Sequence, residues 1–88
     1  MEGWGVGWED LRTVNPELVM VRITGYGQIG PNAHRPSFGR IANAFGGLSF
    51  LAGDSDRPPS TPGSPTISDY LAGLYGAFGA LMAVQARE

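Results

Sequence analysis

Thr66-Ile67-Ser68-Asp69-Tyr70-Leu71-Ala72-Gly73-Leu74-Tyr75-Gly76-Ala77-Phe78-Gly79-Ala80-Leu81-Met82-Ala83 is the stretch that decides how this chain folds. Leu71, Leu74, Tyr75, Phe78, Leu81 and Met82 recur at the i, i+3, i+4, i+7 spacing of an amphipathic helix. The other side carries Ala72, Gly73, Gly76, Ala80 and Ala83, a surface small enough for a second helix or a ligand to come close. Thr66 is the predicted N-cap, and Asp69, three residues on, completes a capping-box pattern. Asp69 is therefore either a cap or a working carboxylate. A chain of 88 residues cannot cover both faces of such a helix from its own resources, so a partner chain or further sequence is expected to cover one.

Working outward, residues 53–63 (Gly-Asp-Ser-Asp-Arg-Pro-Pro-Ser-Thr-Pro-Gly) are a loop by their turn chemistry. A second helix is predicted from Phe38 to Leu51, capped by Ser37, with Ile41, Ala44, Phe45, Leu48 and Leu51 on one side. Gly46 and Gly47 weaken it by roughly 1 kcal/mol each relative to alanine. Residues 32–37 are an open polar loop. Leu18-Val19-Met20-Val21-Arg22-Ile23-Thr24 is β-branched and mostly apolar, which predicts a buried strand. Gly25-Tyr26-Gly27-Gln28-Ile29-Gly30-Pro31 closes it as a glycine-rich turn. A short helix is predicted over residues 8–14, ending before Pro16, which disfavours helical geometry at Asn15. The fold class is thus α/β and α-rich, with one main strand, a short helix and two longer helices. No second strand is evident, so the strand is expected to pair with another polypeptide, and oligomerisation would complete the fold.

Composition narrows the function. Without cysteine the chain has neither disulfides nor thiolate metal sites, which suits a reducing compartment. Six basic against eight acidic residues, with no basic cluster, argue against nucleic acid and against an anionic membrane surface. The first residues carry no signal-peptide pattern. No apolar stretch reaches the roughly 18 residues of a bilayer span. A soluble, cytoplasmic protein with no membrane partner is expected.

In order along the chain, Trp8-Glu9-Asp10-Leu11, Asn15-Pro16-Glu17-Leu18-Val19, Thr24-Gly25-Tyr26-Gly27-Gln28-Ile29-Gly30-Pro31, Ile41-Ala42-Asn43-Ala44-Phe45-Gly46-Gly47-Leu48 and Ser68-Asp69-Tyr70-Leu71-Ala72-Gly73 together resemble the central part of the family III CoA-transferases. That family includes formyl-CoA transferase, the carnitine CoA-transferases and the 2-methylacyl-CoA racemases. The resemblance extends to Ala86-Arg87-Glu88 and implies that residues 1–88 are one partial domain, the middle segment of a longer fold. It implies that Asp69 is the catalytic carboxylate, a nucleophile toward the thioester carbonyl of an acyl-CoA, with a carboxylic acid as the second substrate. It implies a coenzyme A thioester as substrate, no permanently bound cofactor and no metal. It also implies a homo-oligomer of interlocked subunits. In the racemase branch a histidine stands ahead of the Ile41-Ala42-Asn43-Ala44 segment. Its place falls here on Phe38, which cannot move a proton, and the only histidine is His34 in the preceding loop.

Each candidate has a plainer alternative. An acid three residues into a helix is usually a cap. The glycines of residues 25–30 lead into Pro31 rather than into a helix, so they make a turn rather than a dinucleotide cradle, although Gln28 remains a candidate substrate contact. Phe38 is a second such candidate, or a packing aromatic. His34 reads as a solvated loop residue, and Trp4 and Trp8 as apolar surface for association. Asp54 and Asp56 lack the further ligands of a calcium site. The expected activity is movement of CoA between an acyl-CoA and a carboxylic acid through an aspartyl intermediate. Against it stand a non-catalytic truncated module that oligomerises or binds a partner, and a racemase-like activity.

Overall fold

A computed structural model describes all 88 residues, Met1–Glu88. Apart from a short 3-10 turn at Glu2–Trp4, the regular elements are four helices: α1 (Trp8–Val14), α2 (Gly39–Phe45), α3 (Leu48–Leu51) and α4 (Ile67–Arg87). The chain divides into two units, Met1–Val21 with Ala77–Glu88, and Arg22–Gly76.

In the first unit, α1 has the predicted bounds, for a local reason. The Asp10 carboxylate accepts from the Gly7 N–H at 3.1 Å, closing the first turn. At the other end Asn15 N–H donates to the Leu11 carbonyl at 2.9 Å, and its side-chain oxygen accepts from the Glu17 N–H at 3.0 Å. That Asx turn around Pro16 carries the chain out of the helix. Glu9 and Arg12 pair across one turn of α1 at 3.2 Å, an exposed contact of small energetic weight. The Arg87 guanidinium, at the end of α4, donates to the Glu17 carbonyl.

The predicted strand at 18–24 is absent, which corrects the α/β class to an all-helical one. β-branched composition favours a pleated surface, but a strand exists only when a neighbouring edge accepts its backbone groups. The chain offers no such edge. Val21 and Ile23 remain exposed, and Thr24 turns its carbonyl and hydroxyl into the bend with Gly27, at 3.4 and 2.8 Å.

The second unit also departs from the predicted continuous helix at 38–51. Gly47 has φ 83°, in the left-handed region, and ends the run by separating α2 from α3. A helix needs negative φ at every residue, so the Gly46-Gly47 pair, expected to weaken the helix, breaks it instead. The N-cap of α2 is Phe38, not Ser37, and no side chain caps it. The loop after α3 is fastened back to it, with Ser60 N–H on the Ser49 carbonyl at 3.0 Å and Ser60 Oγ on the Ala52 carbonyl at 3.4 Å. Tyr26 meets Phe45 edge to face, with ring centroids 5.1 Å apart.

Helix α4 runs as predicted. Its length and composition are those of a bilayer span, which corrects the expectation that no such segment is present. Ser68, Asp69 and the tyrosines interrupt the apolar run, while leucine, alanine and valine keep the average apolar. No apolar side chain in the protein is buried. Leu74, Tyr75, Phe78 and Leu81, expected as packing surface, are all more than 60% exposed. The buried positions are Gly7, Gly39 and Asn43.

Candidate active site

The second unit forms a cleft of about 450 Å³ lined by residues from three places in the sequence. Ile23, Thr24 and Gly25 supply one wall; Ser37, Phe38 and Ala42 supply the second. Ser68, Asp69 and Ala72, on the first turns of α4, supply the third. A cleft of this size lies within the ordinary range for small-molecule sites.

Two glycines let these walls meet. A Cβ on Gly25 would lie 2.1 Å from the Ser37 Cβ, so any larger residue there forces the first two walls apart. A Cβ on Gly39 would lie 2.4 Å from the Pro65 carbonyl oxygen and 3.0 Å from Asp69 Oδ2. The bare backbone at Gly39 thus lets the start of α2 press against the start of α4. Ser68 Oγ donates to the Gly39 carbonyl at 3.2 Å, and Asn43 Nδ2 donates to the carbonyls of Pro65 and Ser64 at 3.2 and 3.4 Å.

Asp69 is the third residue of α4, the place where a capping-box acid would accept from the N–H of Thr66. It does not. The Thr66 N–H donates to Ser64 Oγ at 3.2 Å, and the Thr66 hydroxyl shares a 3.0 Å hydrogen bond with the same Ser64 oxygen. Thr66 closes the helix end only through its carbonyl, which accepts from Asp69 and Tyr70 N–H at 3.0 and 3.2 Å. The predicted side-chain cap and capping box are therefore replaced by a Ser64–Thr66 turn. The Asp69 carboxylate has no hydrogen bond or ion pair, is exposed, and lines the cleft.

Of the sequence candidates, the structure brings Asp69 and Phe38 to the same cleft, with the Phe38 ring 77% exposed. Gln28 does not line it; its amide donates at 3.3 Å to the Thr24 hydroxyl, which does. His34 is an exposed loop residue away from the cleft wall, and Asp54 pairs with Arg57 at 3.8 Å. Sequence reasoning did not single out Gly39, Asn43 or Ser68. A glycine opening a helix and a polar residue among alanines were the available signals. No arginine, lysine or histidine lines the cleft, so its wall is apolar and hydroxyl-bearing around a single carboxylate. Such a lining suits an uncharged, apolar group and offers nothing to neutralise phosphates.

The chain belongs to CoA-transferase family III, whose description it matches over residues 1–88. Among curated proteins it is 53% identical to the succinyl-CoA–L-malate CoA-transferase beta subunit of Chloroflexus aurantiacus, covering all of this chain and 22% of that protein. It is 42% identical to the succinyl-CoA:glutarate CoA-transferase of Mus musculus, over 90% of this chain and 18% of that one. Identity to the acetyl-CoA:oxalate CoA-transferase of Acetobacter aceti is 35%, over 100% and 23%. The chain thus spans about a fifth of the length of these relatives. No solved structure matches it.

Proposed function

We propose that this segment carries the nucleophile of a CoA-transferase, and that the nucleophile is Asp69. The observation that carries the reading is an unbonded carboxylate at the first turn of a 21-residue helix, facing a cleft with no competing charge.

In the first step an Asp69 oxygen attacks the thioester carbonyl of an acyl-CoA. The carbon–sulfur bond breaks, leaving an acyl-aspartyl anhydride and CoA thiolate. The thiolate then attacks the aspartyl carbonyl and expels the original acyl group as its carboxylate, giving an aspartyl-CoA thioester. An incoming carboxylate repeats the two steps in reverse, taking CoA and restoring Asp69. No net proton is transferred, so no separate acid or base is required. The relatives' names support a substrate class of an acyl-CoA donor, succinyl-CoA in two of the three and acetyl-CoA in the third, with a small dicarboxylic acid as acceptor.

Phe38, Ile23 and Ala72 would border the acyl chain, while the nucleotide end of CoA must be received outside this cleft. A racemase-like reaction is less well supported, because proton removal beside the thioester needs a base opposite Asp69 and no imidazole lines the cleft. The second reading is a non-catalytic module. It is favoured by one observation, the absence of any buried apolar side chain. Under either reading we propose that the exposed α4 face is covered by association, in a cytoplasmic setting.

Intact mass spectrometry after mixing with succinyl-CoA tests the choice. A covalent adduct present in the unaltered protein and absent from Asp69→Asn supports the enzyme; no adduct at saturating succinyl-CoA supports the module.

A further inference from the structure

We infer that Asn43 is a positioning residue for Asp69: its amide holds the turn that enters α4 and thereby sets where the carboxylate stands in the cleft. This rests on the reading of Asp69 as the nucleophile. Asn43 is 2% exposed, the only polar side chain buried in the protein. Its Nδ2 reaches the carbonyls of Ser64 and Pro65, more than twenty residues away in sequence. Its Oδ1 is buried with no partner.

That imbalance is informative. A buried acceptor left unpaired is unfavourable, and leucine, with nearly the same outline, would fill the place without one. What leucine cannot do is donate to two carbonyls at once. The side chain is therefore accounted for by its nitrogen and by what the nitrogen holds.

What it holds is the two residues immediately before Thr66. Ser64 in turn supplies the oxygen that takes the Thr66 N–H, the group Asp69 would otherwise engage. One turn earlier on the same face of α2, Gly39 admits the Pro65 carbonyl and receives Ser68 Oγ. Asn43 and Gly39 together grip the chain on both sides of the helix start. If the amide is lost, residues 64–66 are free to shift, and Asp69 shifts with the first turn.

A displacement of about 1 Å at a reacting atom costs on the order of 10²-fold in rate. Asn43→Leu, which keeps the volume and removes the donor, and Asn43→Ala should each form the Asp69 adduct from succinyl-CoA about 10²-fold more slowly at saturation. Half-saturating succinyl-CoA should stay within about threefold, since the cleft walls are not Asn43. Asn43→Gln, which restores a donor, should recover at least about tenfold of the loss. Folding of each variant is followed by circular dichroism, and Asn43→Leu carries the test if the alanine variant does not fold. A rate for Asn43→Leu within about threefold of the unaltered protein overturns the assignment, as does weakening of half-saturation in step with the rate. If the unaltered protein itself forms no adduct, Asp69 is not the nucleophile and the assignment falls with it. If that adduct forms, only the role of Asn43 is at stake.

Discussion

Two helices in this protein begin with the same arrangement and use it differently. In α1 the residues are Gly7-Trp8-Glu9-Asp10, and Asp10 turns back to the Gly7 N–H. In α4 they are Thr66-Ile67-Ser68-Asp69, and the corresponding N–H, that of Thr66, donates to Ser64 Oγ instead. Sequence spacing gives both acids the same role. The difference is a hydroxyl two residues ahead of the N-cap, which occupies the donor first and leaves the second acid without a local partner. An unbonded carboxylate beside a cleft is then available for chemistry, whereas a bonded one in a shallow first turn is a fastening.

The largest expected effect falls on the free acid. Asp69→Asn should abolish adduct formation, a loss on the order of 10³-fold or more, because a carboxamide is not a nucleophile toward a thioester. Its unfolding free energy, measured by urea titration, should barely move, by less than about 0.5 kcal/mol, since no hydrogen bond is lost. A large stability loss in that variant would make Asp69 a cap after all and erase the contrast.

Gly39→Ala should cost about 1–3 kcal/mol, because the new methyl meets a backbone oxygen that cannot rotate away. It should also slow adduct formation, as the two helix starts are pushed apart. Ser64→Ala sharpens the comparison directly. It frees the Thr66 N–H for Asp69 and so converts the α4 start into a copy of the α1 start. The expected outcome is a slower adduct with a stability change of about 1 kcal/mol or less, one hydrogen bond being exchanged for another. The smallest effect belongs to Asp10→Asn, about 0.5 kcal/mol of unfolding free energy from the α1 end and no change in adduct rate.

The same contrast marks how far the sequence could be read. Helix α1 was legible because Pro16 sets its end locally; the Asp10 fastening at its start was seen only in the structure. Helix α4 was legible because six apolar residues keep one period for three turns. The strand at 18–24 was misjudged since composition reports a preference and not the presence of a neighbouring edge. The joined helix at 38–51 was misjudged since propensity treats glycine as a weak residue, while Gly47 adopts a backbone geometry no helix contains. At the site, Asp69 and Phe38 could be placed through the family resemblance. Asn43, Gly39 and Ser68 could not, because their roles consist of contacts 20 to 30 residues away in sequence. The Ser64 hydroxyl was missed for another reason: Thr66 is itself a good cap, and nothing local says that its neighbour will compete.

Gly39 and Asn43 lie four residues apart on one short helix, and both press on the segment that precedes Asp69. An attempt to transplant this carboxylate into another scaffold by copying only the tetrapeptide around it would import an ordinary capping acid. The portable unit is discontinuous: a short second helix with a hole at its first position and an amide one turn later has to travel with it, and natural drift at either of those two places should be constrained by the other.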